Sequence, residues 1–123
     1  MPWTIRFEDE FEGEFRALQT EVQDQLLAGA RLLADYGPQL GRPYVDTLKG
    51  SKHANMKELR FDAAGGVWRV AFAFDPRRQG ILLVAGDKSG VGKGRFYERL
   101  IAKSDKRCTA HLARLKAASG KKG

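Results

Sequence analysis

Lys49, Lys52, His53 and Lys57, then Arg60 and Arg69, then Lys88, Lys93 and Arg95, with Tyr97 close behind, are the residues whose types suit chemistry on a phosphate. Arginine presents a planar fork that gives a phosphate two parallel hydrogen bonds. A lysine crowded by other cations has its ammonium form disfavoured and can approach the pKa a base needs. Such a set fits one reaction well, the attack of an RNA 2′-hydroxyl on the adjacent phosphate. A base takes the hydroxyl proton, cations stabilise the charge that builds on the phosphoryl oxygens, and an acid protonates the departing 5′-oxygen. Each lysine taken alone reads better as a solvated surface residue. Arg69, on a central strand, is the exception.

Rival chemistries fit less well. Gly86 to Gly94 invites a phosphate-loop reading, but a first glycine five residues before Gly92 would fall on Asp87, and Lys93 is followed by Gly94 rather than Ser or Thr. His53 and His111 have no neighbouring ligand pattern, so no metal site and no cofactor are expected. The single cysteine, Cys108, excludes an internal disulfide and falls on an apolar helix stripe, where it reads as a small core residue.

The elements that must position the cations are legible from periodicity. From Met56 to Lys88, three runs rich in Val, Ile, Leu, Phe and Trp are separated by turn signals at Asp62 to Gly66 and Asp75 to Arg78, the pattern of a β-meander. In the middle run Trp68, Val70, Phe72 and Phe74 share one face, which leaves Val67, Arg69, Ala71 and Ala73 on the other. Arg69 beside two alanines is expected to stand over an open surface. In the run before, Leu59 and Phe61 take the core face and turn Glu58 and Arg60 the opposite way, so that Arg60 and Arg69 can share a face. Ile81 to Ala85 is apolar on both faces, as a strand covered on both sides would be.

Trp3 to Phe7 reads as a short strand pairing with the meander. Phe11, Phe15, Leu18, Val22, Leu26 and Leu33 then recur at helical spacing, one long helix or a helical hairpin ended by Gly37-Pro38. Residues 38 to 55 read as a long polar connection carrying Lys49, Lys52 and His53. A last helix is expected over Phe96 to Leu115, with Tyr97, Ile101, Cys108, Leu112 and Leu115 on its apolar stripe and Lys103, Lys106, Arg107 and Arg114 largely away from it.

A chain of 123 residues fits one domain with one modest core, assigned to 1–118, followed by a disordered basic tail over 119–123. No apolar run approaches the roughly 20 residues of a membrane span, and no secretory signal opens the chain; a cytoplasmic protein with no membrane partner is expected. The net charge of +7 is unevenly spread. Residues 1–36 carry three basic and eight acidic residues, a net of −5, and the rest carries 19 basic and seven acidic, a net of +12. The second part should attract a polyanion.

The phrases LKGSKHANMKELRF, WRVAFAFDPRR, ILLVAGDKSG and FYERLI resemble the RelE/ParE superfamily of type II toxins, particularly its HigB-like branch of phage and plasmid addiction modules. The resemblance implies an α+β fold, a small curved antiparallel sheet flanked by an N-terminal helix or helical hairpin and a C-terminal helix. It implies a ribosome-dependent mRNA endoribonuclease silenced by an antitoxin, a helix-turn-helix protein encoded next door. The family's sheet arginine falls on Arg69, its Leu-Arg strand end on Arg60, the basic residue after its last strand on Lys88, and its helix-start aromatic on Phe96 or Tyr97. One of its lysines would fall on Glu58. The displaced Lys57 points to the other strand face, which leaves Lys57, Lys52 and His53 as candidates for the base. The same superfamily includes ParE-type toxins that inhibit DNA gyrase through protein contacts, and a degenerate prophage protein that only binds is a third possibility.

Overall fold

A computed structural model of the chain describes residues 2–120. Strand β1 (Thr4–Phe7) leads into helices α1 (Asp9–Arg16) and α2 (Thr20–Tyr36); β2 (Val45–Thr47), the meander β3 (Met56–Ala63), β4 (Gly66–Phe74) and β5 (Gln79–Asp87), and the long helix α3 (Lys93–Gly120) follow. The five strands form one sheet in the order β1-β5-β4-β3-β2. The expected antiparallel pairing holds from β2 to β5, whereas β1 lies parallel to β5. A β1 that must hand the chain directly to α1 reaches the far edge of the sheet in that direction.

The N-terminal helical stretch is a hairpin rather than one helix. Gln23 of α2 braces the break: its side-chain amide donates to the carbonyls of Phe15 (2.9 Å) and Arg16 (3.2 Å) at the end of α1, where Phe15 also accepts from the Leu18 N–H at 3.1 Å. At the other end of α1, Glu8 is the N-cap, accepting from the backbone N–H groups of Glu10 and Phe11 at 3.0 and 3.1 Å. Helix α2 stops at Gly37, whose φ of +57° suits glycine and where a Cβ would collide with the Trp3 indole.

Side-chain alternation divides the interior into two layers, one on each side of the sheet. Phe11, Leu26, Leu33, Val45, Leu59, Val70, Phe72 and Leu82 pack together under α1 and α2. Met56, Ala71, Ala73, Ile81, Leu83, Phe96, Leu100 and Cys108 pack under α3. The room above Ala71 and Ala73 is therefore filled by α3, and Arg69, expected on an open surface, is only 6% exposed. Burial pushes the Cys108 thiol up to about 11, as suits a core residue.

Two further expectations are corrected. The connection over 38–55 contains β2, hydrogen-bonded to β3 through Val45↔Leu59, Asp46↔Glu58 and Thr47↔Lys57. Three residues are too short to show a period, so the strand left no signal in the sequence. Arg107, placed away from the apolar stripe, is buried, and its guanidinium spans from α3 to α1 and β5. It donates to Glu14 Oε1 (2.9 Å) and the Leu83 carbonyl (2.7 Å) and lies 3.7 Å from Glu8. Ser119 and Gly120 continue α3, and residues 121–123 of the expected tail lie outside the described residues.

Candidate functional site

The register of β3 on β4 sets Arg60 directly opposite Arg69, and β4 on β5 sets Arg69 opposite Gly86. Like charges facing across a sheet repel, so this pair needs a compensating anion. Glu58 supplies it. Two residues before Arg60 on the same face, its carboxylate is 7% exposed and lies 4.0 Å from the Nε atoms of both Arg60 and Arg69. It also accepts a 2.8 Å hydrogen bond from the Tyr97 hydroxyl.

Those 4.0 Å separations are ion pairs and too long for hydrogen bonds. The Nε atoms of Arg60 and Arg69 are buried, and neither has a hydrogen-bond acceptor among the described residues. Arg69 donates through Nη1 to the carbonyl of Trp68 at 2.8 Å. On the outer side, Asp46 of β2 lies 3.9 Å from Arg60 and 2.7 Å from Arg42. Buried guanidinium N–H groups without an acceptor are costly, and an anion placed between them would relieve that cost.

Lys88 and Tyr97 close the group from the other side. The Lys88 ammonium lies 6.0 Å from the centre of the Tyr97 ring. Burial, then repulsion from Arg69 and Arg60, holds its pKa below the ordinary lysine value, while Glu58 pulls the other way. Burial, then the hydrogen bond to Glu58, raises the Tyr97 phenol. Above these residues opens a hollow of about 600 Å³ lined by Arg42, Asp46, Thr47, Leu48, Lys49, Glu58, Arg60, Lys88, Lys93, Gly94 and Tyr97. Five of its lining residues are cationic and two anionic, so it favours an anionic occupant.

The expected residues thus fall into three groups. Arg60, Arg69, Lys88 and Tyr97 come together, with Lys49 and Lys93 on the walls of the hollow. Lys52 and His53 do not join them: they line a separate cavity of about 220 Å³ with Asp75, Cys108 and His111. Asp105 and Thr109 hold that loop against α3, through the Lys52 backbone N–H at 3.1 Å and the His53 ring at 3.0 Å. Lys57 pairs with Phe72 and so belongs to the opposite face of the sheet, as its odd position on β3 requires. Arg95 is exposed in the first turn of α3 and does not line the hollow. Sequence reasoning missed Glu58, Arg42 and Asp46. The alternation that turned Glu58 to the arginine face was visible, but a set assembled by positive charge passes over the carboxylate at its centre.

The fold is that of small RelE-type proteins. Over 84% of this chain and 97% of the other it matches the free-state structure of an arginine-to-alanine double mutant of the Escherichia coli toxin RelE, with a TM-score of 0.60 at 13% identity. Residues 13–109 match the model of the family described as phage derived protein Gp49-like (DUF891). The chain belongs to that family, and to the HigB-like branch of the RelE superfamily. It is 46% identical over 99 residues to a Mycobacterium tuberculosis protein that carries the name toxin HigB3, covering 80% of this chain and 84% of the relative. It is 40% identical over 112 residues to one named toxin HigB2, covering 90% of this chain; the chain spans 55% of that relative's length.

Proposed function

We propose that the chain is the toxin of a type II toxin–antitoxin pair and acts as an endoribonuclease on mRNA held by the ribosome. The observation that carries the reading is the Arg60–Arg69 pair, two opposed arginines with buried, unpartnered Nε atoms, of which Arg60 lines the hollow rich in cations. A scissile phosphate between them would receive the hydrogen bonds these nitrogens lack and complete an electrostatic cradle for the pentacoordinate transition state. Glu58 takes the part of proton acceptor from the 2′-hydroxyl, with Tyr97 holding its carboxylate, because Lys57, Lys52 and His53 stand elsewhere. Lys88, its pKa lowered by burial and by the arginines, protonates the 5′-oxygen as the bond breaks. The ribosome would fix the mRNA conformation, and the positive second half of the chain favours ribosomal RNA as a docking surface. The toxin names of the two relatives support an antitoxin as partner, here taken to be a helix-turn-helix protein.

The test is to map transcript 5′ ends soon after controlled expression of the intact protein and of Arg69→Ala, with no antitoxin present. New ends inside translated frames with the intact protein and none with the variant are expected. Growth arrest without new ends, preceded by a DNA-damage response, would overturn the reading in favour of gyrase inhibition.

A further inference from the structure

Two guanidiniums of the cationic hollow converge on a single oxygen that belongs to the chain itself. Asp46 Oδ2 accepts from Arg42 Nη2 at 2.7 Å and from Arg42 Nε at 3.2 Å, and Arg60 Nη1 lies 3.9 Å from the same atom. The other oxygen, Oδ1, accepts from the Thr47 N–H at 2.9 Å, which fixes the carboxylate on β2. Asp46 stands directly opposite Glu58, so two carboxylates face each other across β2 and β3 on the wall of a hollow that otherwise favours anions. Like charges so placed repel, and Arg60, near both, offsets them.

The mechanism above gives Glu58 a part and gives Asp46 none. The hydrogen bond from Arg42 holds the Asp46 carboxyl below its ordinary value, so at neutral pH it is an anion in the path of an RNA backbone. Arg42, its main partner, has a side chain 74% exposed, and an ion pair that open to water contributes little to the fold. The two can therefore separate at small cost. Arg42 spends two nitrogens on one carboxylate oxygen, whereas a phosphate offers an oxygen to each prong of its fork.

We infer that Arg42 is a second phosphate-binding residue, gripping the RNA phosphate next to the one held by Arg60 and Arg69, and that Asp46 is an internal stand-in which that phosphate displaces. The inference rests on the nuclease reading. Asp46 keeps its bond from Thr47 and its neighbour Arg60, so the exchange moves the Arg42 side chain alone. The carboxylate left beside the RNA then holds the affinity of the site below what its cations would give.

The experiment follows single-turnover cleavage of mRNA on programmed ribosomes against protein concentration. It compares the intact protein, Asp46→Asn, Arg42→Ala, the double variant and Arg69→Ala, each checked for folding by its thermal unfolding. Asp46→Asn should lower the half-saturating concentration about fivefold, the weight of an exposed charge pair. Arg42→Ala should raise it by a similar factor and reduce the slope of its salt dependence by about one. Both effects should fall on the half-saturating concentration and not on the maximal rate. With Arg42→Ala already present, Asp46→Asn should gain less, because no arginine is left to release. A higher half-saturating concentration or a slower maximal rate with Asp46→Asn overturns the inference, as does an Arg42→Ala variant that saturates like the intact protein or a gain of equal size without Arg42. In those cases cleavage that Arg69→Ala abolishes leaves the nuclease reading standing. No cleavage by the intact protein overturns both.

Discussion

Arg107 and Arg69 are both 6% exposed, and they are opposites. The Arg107 guanidinium is engaged by Glu14 and the Leu83 carbonyl, with Glu8 and Glu10 within 3.7 Å, so α1, β5 and α3 are tied through one cation. Arg69 keeps one hydrogen bond to its own strand and one distant carboxylate, with Nε left over, and faces a second arginine as incompletely paired as itself. A buried charge whose donors are filled from within the chain holds the fold together. One whose donors are left unfilled has room for an external acceptor, the part the proposed function gives to a phosphate.

Four experiments can break or sharpen that contrast. Arg107→Ala should cost about 3 kcal/mol of stability, because it removes the buried cation that joins Glu14, the Leu83 carbonyl and the almost fully buried Glu8 carboxylate. Urea unfolding measures it, and a loss below about 1 kcal/mol would put Arg107 in the same class as a surface ion pair. Arg69→Ala should do the reverse, lowering the single-turnover cleavage rate on programmed ribosomes by about a hundredfold or more with the unfolding midpoint held or raised. A protein that unfolds with Arg69→Ala would make both arginines structural.

Lys88 gives the comparison a pH dependence. As the acid it must be protonated, so cleavage is present below its pKa and is lost as pH rises through it. Because burial and the two arginines lower that pKa, the loss should come at lower pH than an ordinary lysine would give. Lys88→Arg should carry the alkaline limb upward, and an unmoved limb would remove Lys88 from the proton transfer. The smallest effect belongs to Glu14, whose carboxyl is held below its ordinary value by the hydrogen bond from Arg107. A depressed carboxyl contributes stability above its unfolded pKa and loses it as pH falls through the folded one. Glu14→Gln should therefore unfold with a shallower acid dependence, a difference of about 1 kcal/mol or less between neutral and acid pH. Equal acid slopes would show that Glu14 adds nothing to the clamp and that Arg107 is held by its other partners, Glu8, Glu10 and the Leu83 carbonyl.

The strands of the meander, the faces of β3 and β4, the ends of the N-terminal helical stretch and the stripe of α3 could all be read from alternation and period. Those signals are local, and the side chains involved are large and apolar. β2 could not be read, because a three-residue edge strand is defined by its neighbour. Arg107 was misplaced for a related reason: a helix stripe drawn from apolar residues leaves out a buried cation whose partners lie 93 and 24 positions away.

The candidate site divides along the same line. The sequence by itself determined that Arg60 and Arg69 share a face, that Lys57 does not, and that the second half of the chain is strongly positive, since period-two geometry and charge need no partner strand. Only the tertiary structure decided that the arginines stand opposite each other, that Glu58 lies between them under Tyr97, and that Lys52 and His53 belong to another cavity. Register, helix docking and burial join residues far apart in the chain, and it is burial that leaves two arginine nitrogens without acceptors.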